Sequence, residues 1–347
     1  MTEPIPRLHR VRCTDPGLSR RRAARGFRYV DASGRPVRDR AVIERVRSLA
    51  IPPAWTDVWI CADSHGHLQA VGTDDAGRRQ YLYHERWRTR RDRQKFERML
   101  AFGEVLPEVR DRCERDLARR GFERERVLAC AISLMDLAVF RVGSETYAEA
   151  NGSFGLATIR SRDVHVRGAT IAFDFLAKGG QRRAVEVHAP ELAPIVRRLI
   201  GRDSARDAEL LAYREGKAWR DVRSADVNAY LKELAGDEFS AKDFRTFHAT
   251  VLAAVGLARV EAESTSVTSR KRAVSAVVRD VAEFLGNTPA VCRKSYVDPR
   301  VIDRYLEGRT IDLRDVDPND DDRRSRERIE AAVLDLLGSS RRTALAA

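Results

Sequence analysis

The sequence predicts an α+β protein in which most strands precede most helices. Short strand-like segments separated by turn residues fill residues 26–83. After residue 84, apolar residues mostly recur at helical spacing. Three strand-like segments interrupt this helical part between residues 162 and 188. We therefore expect a small β-rich N-terminal domain and a larger, mainly α C-terminal domain that contains a three-stranded antiparallel sheet.

The β-rich domain is predicted to cover residues 26–88. It follows an Arg-rich stretch, residues 1–25, which has little periodicity and is expected to form a flexible or loosely packed arm. Gly, Ser and Asp separate the apolar segments that follow, and these residue types favour turns. The predicted strands include residues 26–30, 58–60, 68–71 and 81–83.

The mainly α domain is predicted to cover residues 89–347, and a turn-poor, Arg-dense helix over residues 84–99 leads into it. Residues 127–140 and 274–285 each place apolar side chains on one helical face. Gly286 is expected to end the second of these helices. Further helices are predicted to start at Ser224, Ser240, Thr288-Pro289, Asp298-Pro299 and about Arg323, and the three strands are predicted at residues 164–166, 170–176 and 184–187.

Charge favours a nucleic-acid partner but does not establish one. The net charge is +12 and the isoelectric point is about 9.9, which suits binding to an acidic polymer. Arginine supplies most of the basic residues, and lysine is rare. Because codon usage can enrich arginine, charge alone is weak evidence of function.

The sequence argues against several classes of protein. Its five cysteines are scattered, and neither C-x-x-C nor H-E-x-x-H occurs. A disulfide framework or a zinc site is therefore not indicated, and no cofactor is expected. Residues 1–12 are polar, unlike a signal peptide, and no apolar run approaches the roughly 18 residues that span a bilayer. We expect a soluble cytoplasmic protein that does not bind a membrane.

Five segments contain the residue types that phosphodiester transfer requires. The reaction needs a nucleophile, donors that hold the non-bridging oxygens, and an acid that protonates the leaving 5′ oxygen. Arg binds phosphate through a planar, permanently charged fork, and the pKa of Lys responds to its surroundings. The segments are Phe140–Ser144, Phe173–Gly179, Lys242–Thr246, Leu285–Pro289 and Arg293–Val297.

Together and in this order, the five segments resemble the type IB DNA topoisomerase family, most closely its small poxvirus and bacterial branch. The resemblance extends over about residues 51–302. It implies that Tyr296 attacks a DNA phosphate and becomes linked to a 3′ end. It implies that Arg141 and Arg245 hold the non-bridging oxygens, and that Lys178, in a hairpin turn, protonates the leaving 5′ oxygen.

Asn287 departs from the family pattern, because most members carry His at that position. An amide can donate a hydrogen bond to a phosphate oxygen but cannot carry a charge. The resemblance therefore implies that Asn287 acts as a donor, and it puts any role in proton transfer in doubt. For the whole chain it implies a monomeric bilobed clamp that encircles duplex DNA at the nucleoid and relaxes supercoils without ATP or a metal ion.

The resemblance also indicates residues that face the DNA. Residues 72–83 are similar to the N-terminal domain of the family, in which the counterparts of Gln80, Tyr81 and Tyr83 lie near the cleavage site. Gln can pair with adenine, and Tyr hydroxyls can reach phosphates. Without the family, Tyr81 and Tyr83 would better fit one buried face of a strand. Further DNA-binding candidates are Arg79, Arg88, Arg90, Arg91 and Lys242.

Two other functions fit parts of the pattern. Tyrosine recombinases share the Arg, Lys, Arg and Tyr set, but they usually carry His three residues before the second Arg. This chain has Lys242 at that position. A non-catalytic architectural DNA-binding protein is the third possibility, and the intact catalytic set argues against it.

Overall fold

The computed structural model describes residues 7–202, 206–260, 266–314, 316–318 and 322–344. Contacts divide the chain into two units, Met1–Lys95 and Phe96–Ala347, and the division falls inside one long helix. Within the described ranges, no helix is long and apolar enough to cross a membrane.

An antiparallel sheet with one helix packed on it forms the core of the first unit. Val46 of the helix packs with Leu18, Ile60 and Ala70 of the strands, and all four side chains are buried. The elements are β1 (Gly17–Arg22), β2 (Phe27–Val30), α1 (Arg40–Ser48), β3 (Thr56–Cys61), β4 (Leu68–Thr73) and β5 (Arg79–Tyr83). In the described residues, the sheet has the strand order β2-β1-β3-β4-β5.

Strand β1 lies inside the stretch that was expected to be a loose arm, so that prediction is wrong for residues 17–22. Leu18 is its one fully buried apolar side chain. Arg20 instead donates hydrogen bonds to the carbonyls of Ile51 and Pro52, at 3.0 and 2.9 Å. A strand stabilised in this way has almost no apolar periodicity, which is why its sequence resembles a polar arm. Residues 1–6 of the predicted arm lie outside the described part of the chain.

The second unit contains the larger core, in which Phe102, Phe140, Phe244 and Phe247 are among the fully buried side chains. Residues of helices and of a small sheet share this core, so the predicted α+β class is confirmed. The elements are α2 (Glu85–Leu117), α3 (Arg124–Ala138), α4 (Glu145–Asn151), β6 (Val164–Arg167), β7 (Thr170–Ala177), β8 (Gln181–His188), α5 (Ala193–Ile200), β9 (Ala212–Glu215), β10 (Ala218–Asp221), α6 (Ser224–Ala235), α7 (Ala241–Arg259), α8 (Val267–Leu285), α9 (Pro289–Ser295), α10 (Pro299–Leu306) and α11 (Arg323–Ala344).

Strands β6, β7 and β8 form the predicted three-stranded antiparallel sheet, in that order. The β7–β8 hairpin closes at the Ala177–Gln181 pair. Gly179 and Gly180 form its turn with positive φ values of 82° and 71°, which residues with a side chain rarely adopt. The short elements α1, α4, α5, β9 and β10 were not predicted from the sequence.

A buried ionic cluster joins four helices of the second unit. Arg110 of α2 donates hydrogen bonds to Asp136 of α3 at 2.8 and 3.1 Å. It also donates to Glu330 of α11 at 2.7 and 2.8 Å. His248 of α7 contacts the same Asp136 at 2.8 Å. The cluster therefore anchors the C-terminal helix to the helices that lead into the candidate site.

Candidate active site

Arg141 lies in a tightly packed loop directly after α3. Val139 ends that helix in the left-handed conformation. The Arg141 carbonyl then accepts a hydrogen bond from the Leu156 N–H at 2.8 Å. Behind it Gly143 and Gly155 are in backbone contact, because a Cβ added at Gly155 would lie 2.5 Å from the Gly143 Cα. The two glycines thus allow a close backbone approach that holds the Arg141 main chain in place.

Arg141 and Asn287 are directly bonded although they are distant in the chain. Gly286 ends α8 in the left-handed conformation, as predicted, and the Asn287 N–H donates to the Ala282 carbonyl at 2.8 Å. Arg141 Nη2 donates to Asn287 Oδ1 at 2.5 Å and to the Gly286 carbonyl at 2.9 Å. Asn287 Nδ2 is buried and has no hydrogen-bond partner among the described residues. With its oxygen occupied by Arg141, the amide keeps a donor available for a ligand.

Arg245 lies in the second turn of α7, whose N-cap is Ser240, as predicted. Its guanidinium is buried and donates to the carbonyls of Val139 and Leu285, at 2.7 and 2.9 Å. Its Nε has no hydrogen-bond partner in the described part of the chain. The pKa of Arg245 is lowered to about 10, mainly by burial and also by the charge of Arg141, while the phenol of Tyr296 acts in the opposite direction.

Tyr296 ends the short helix α9, which starts at the predicted N-cap Thr288. Its carbonyl accepts a hydrogen bond from the Thr250 hydroxyl of α7 at 3.2 Å. The guanidinium carbon of Arg245 lies 5.2 Å from the centre of the Tyr296 ring. Helix α7 therefore carries both the arginine beside the phenol and a residue that holds the tyrosine backbone. The ring itself is only half-buried, so a ligand can reach it.

Lys178 is placed in the exposed turn of the β7–β8 hairpin. Gln181, the first residue of β8, follows this turn and reaches the Arg141–Asn287 pair. Its Oε1 would lie 4.0 Å from a Cβ built at Gly286, the residue before Asn287. The structure thus joins Arg141, Arg245, Asn287 and Tyr296 through contacts, and it places Lys178 on the adjacent hairpin.

Arg183 of β8 belongs to the same cluster and was missed in the sequence. Its Nη2 donates to the Ala138 carbonyl at 2.9 Å. The pKa of Arg183 is lowered to about 10, mainly by burial and also by the charges of Arg245 and Arg141. A period-two pattern could have revealed it, because residues 183, 185 and 187 face inward along the strand. In so Arg-rich a chain, a single inward-facing arginine is a weak signal.

The cluster is suited to binding an anion. Arg141, Arg183 and Arg245 lie together, and the groups that shift the pKa values of Arg183 and Arg245 include no carboxylate. The guanidinium groups remain charged at neutral pH, since both of those pKa values stay near 10. A phosphate would supply the missing negative charge and would accept hydrogen bonds from the unpartnered donors.

In the first unit, Tyr81 and Tyr83 share an exposed face of β5, with 51% and 36% of their surfaces accessible. The buried-face interpretation is therefore wrong. Their rings stack at a centroid distance of 6.3 Å and an interplanar angle of 17°. Gln80 Nε2 donates to Asp74 Oδ2 at 2.8 Å, which orients the Gln80 amide. The other predicted DNA contacts, Arg79, Arg88, Arg90, Arg91 and Lys242, are all exposed.

Comparison with known proteins gives one consistent answer. A family model described as the catalytic core of eukaryotic DNA topoisomerase I matches residues 84–310. A second, described as the N-terminal domain of bacterial DNA topoisomerase IB, matches residues 26–74. The DNA topoisomerase 1B of Acanthamoeba polyphaga mimivirus is 31% identical over 268 residues, which are 76% of this chain and 80% of the viral one.

More distant viral enzymes match over a similar length. The DNA topoisomerase I of monkeypox virus is 18% identical over 280 residues, covering 79% of this chain and 85% of its own. The DNA topoisomerase 1 of rabbit fibroma virus is 21% identical over 269 residues, covering 76% and 81%. The catalytic-core match covers well over half of the sequence, and the chain belongs to the type IB DNA topoisomerase family of DNA-binding isomerases.

Proposed function

We propose that the chain nicks one strand of duplex DNA by transesterification through Tyr296. The phenol gives up its proton to solvent, its oxygen attacks a backbone phosphate, the bond to the 5′ oxygen breaks as that oxygen is protonated, and the phosphate becomes joined to tyrosine at a 3′ end. One phosphoester replaces another of similar energy, so the step is reversible and needs no ATP. The observation that carries this proposal is the contact between Tyr296 and a cluster of cationic donors that are buried and incompletely bonded.

Arg141, Arg245 and Asn287 would hold the non-bridging oxygens of that phosphate. Two of them keep a donor free for it, Arg245 through Nε and Asn287 through Nδ2. Both terminal nitrogens of Arg245 already bind backbone carbonyls, so its guanidinium is held in place before DNA arrives. Donors that are oriented in advance stabilise the transition state without reorganisation.

Lys178 would protonate the leaving 5′ oxygen and, in the reverse step, would accept that proton back. Its position in a Gly-rich turn supports this role, because the turn lies next to the phosphate-binding residues and is exposed enough to meet DNA. Asn287 cannot share the task, since an amide does not titrate.

Between cleavage and religation, the free 5′ side would rotate and release supercoils. A monomeric bilobed clamp, with both units contacting one duplex at the nucleoid, would retain the DNA during rotation. The exposed Tyr81 and Tyr83 support a DNA-facing surface on the first unit. Because side chains supply both the proton and the positive charge, the proposed reaction proceeds without a metal ion.

The test is to replace Tyr296 with Phe and search for the covalent complex. We expect Tyr296→Phe to bind duplex DNA but to relax no plasmid and to form no protein–DNA adduct on a denaturing gel. Tyr305→Phe is the matched control, because Tyr305 is buried and its hydroxyl has no partner among the described residues. An adduct that persists in Tyr296→Phe would overturn the assignment of the nucleophile.

A second test is plasmid relaxation in EDTA without ATP. We expect relaxation to continue, because the proposed reaction uses neither a metal ion nor ATP. A strict requirement for a divalent cation would contradict it. A requirement for two paired sites, together with strand exchange between them, would instead identify a recombinase.

A further inference from the structure

Arg183 is the cationic residue of the site for which neither the sequence pattern nor the proposed mechanism provides a role. Arg183 lies on strand β8, whereas Arg141 follows α3 and Arg245 lies on α7. Its Nη1 would lie 3.6 Å from a Cβ placed at Gly286, and Arg141 Nη1 would lie 3.9 Å from the same point. The two guanidinium groups thus flank one position of the backbone, next to Asn287.

Part of the Arg183 side chain has a structural role. Nη2 caps the end of α3 through the Ala138 carbonyl at 2.9 Å. The guanidinium carbon also lies 5.7 and 6.0 Å from the ring centres of Phe140 and Phe284. These contacts orient the group, but they leave its Nε buried without a hydrogen-bond partner in the described part of the chain.

A purely structural residue would not need this charge. A buried donor without a partner is costly, and a third guanidinium beside Arg141 and Arg245 adds repulsion. Both costs are offset if an anion is present when the site works. The Nε atoms of Arg183 and Arg245 and the Nδ2 of Asn287 are all buried and unbonded in the described residues, and each could donate to an oxygen of an anion bound in the cluster.

We infer that Arg183 is a further phosphate-binding residue, which donates its Nε–H to a non-bridging oxygen of the phosphate that Tyr296 attacks. The inference rests on the proposed function and adds a third guanidinium to it. Arg183 would neutralise charge that develops on the phosphate during transfer. Its bond to Ala138 would keep it aligned, as the bonds to Val139 and Leu285 do for Arg245.

The experiment measures single-turnover cleavage by Arg183→Gln and Arg183→Lys on two DNA substrates. One has a normal phosphodiester at the cleavage site, and the other has an uncharged methylphosphonate there. On the phosphodiester we expect Arg183→Gln to be about 100-fold slower than the wild type, which is the usual effect of removing one oriented donor. Arg183→Lys should recover only part of the rate, because an ammonium cannot reproduce the geometry of the fork.

The methylphosphonate distinguishes contact with the phosphate from a structural defect. It removes the charge that Arg183 would bind, so the ratio of wild-type to Arg183→Gln rates should fall towards one. Arg182→Gln is the matched control, since Arg182 is the adjacent residue, is exposed and pairs with Asp174. It should cleave both substrates at the wild-type rate.

An equal defect of Arg183→Gln on both substrates, or no defect on either, would overturn the inference. The proposed function is tested separately, by adduct formation in the wild type and in Tyr296→Phe. If the wild type forms no adduct, or if Tyr296→Phe still forms one, the proposed function fails. An adduct that depends on Tyr296, with equal rate ratios on the two substrates, removes only the role of Arg183.

Discussion

Replacing Arg110 with Met should strongly destabilise the second unit. Arg110, Asp136 and Glu330 are 7, 6 and 5% exposed, and the arginine bridges the two carboxylates. Met preserves most of the apolar stem but removes the charge. Two carboxylates would then remain in the core, and Asp136 would keep His248 at 2.8 Å and the partly exposed Arg326 at 3.8 Å as partners.

The expected cost follows from the burial of this cluster. Burial would raise the pKa of Asp136, but Arg110 and His248 outweigh it and hold that pKa well below its ordinary value. Removing one partner of a buried ion pair costs about 3–5 kcal/mol, because the remaining charge is left uncompensated. For a unit of this size, that corresponds to a fall in melting temperature of roughly 6–20 °C. An exposed pair contributes only about 0–1 kcal/mol.

The assay is urea unfolding followed by far-UV circular dichroism, with hydrogen exchange in α3 to locate the change. Arg314→Met is the control, since Arg314 pairs with Asp312 at the surface, where the two side chains are 87 and 57% exposed. If Arg110→Met unfolds within about 1 kcal/mol of this control, the reasoning about buried charge is refuted. Adding Asp136→Leu and Glu330→Leu should recover much of the loss, because the uncompensated charges are then gone.

Two further predictions concern the site and its surroundings. Gly155→Ala should slow single-turnover cleavage by about 100-fold, because the new Cβ would collide with Gly143 and displace the Arg141 loop. Gly338→Ala is the control and should not slow cleavage, because a Cβ at Gly338 has no neighbouring atom within 4 Å. A wild-type rate for Gly155→Ala would contradict the argument. Burial raises the pKa of Glu209 from 4.5 to about 7, so between these two values the folded state holds a proton that the unfolded state has lost, and stability falls as the pH rises from 4.5 to 7. Glu209→Gln should therefore be more stable than the wild type by about 1 kcal/mol at about pH 8, after allowance for solvent screening, and no more stable at about pH 4. Equal differences at both pH values in urea titrations would count against this.

Local patterns in the sequence predicted most of the fold. The helices around residues 127–140 and 274–285, and the sheet at residues 164–187, have clear periodicity, and Gly286 and the glycines of the hairpin mark the ends of the second helix and of strand β7. Strand β1 shows where this fails. It pairs with β2 and β3, and Arg20 bonds to a loop some thirty residues away; periodicity carries no record of such contacts.

The sequence by itself determined the family, because five short segments in a fixed order are specific even when each is weak. It also named Tyr296, Arg141, Arg245 and Asn287, whose contacts the structure then supplied. Only the tertiary structure decided which polar atoms are buried without partners and that Arg183 joins the cluster, and it settled whether Tyr81 and Tyr83 are buried or exposed. The reason is physical: burial and unmet hydrogen bonds depend on segments as far apart as Arg141 and Asn287, which are 146 residues distant in the chain and 2.5 Å apart in space.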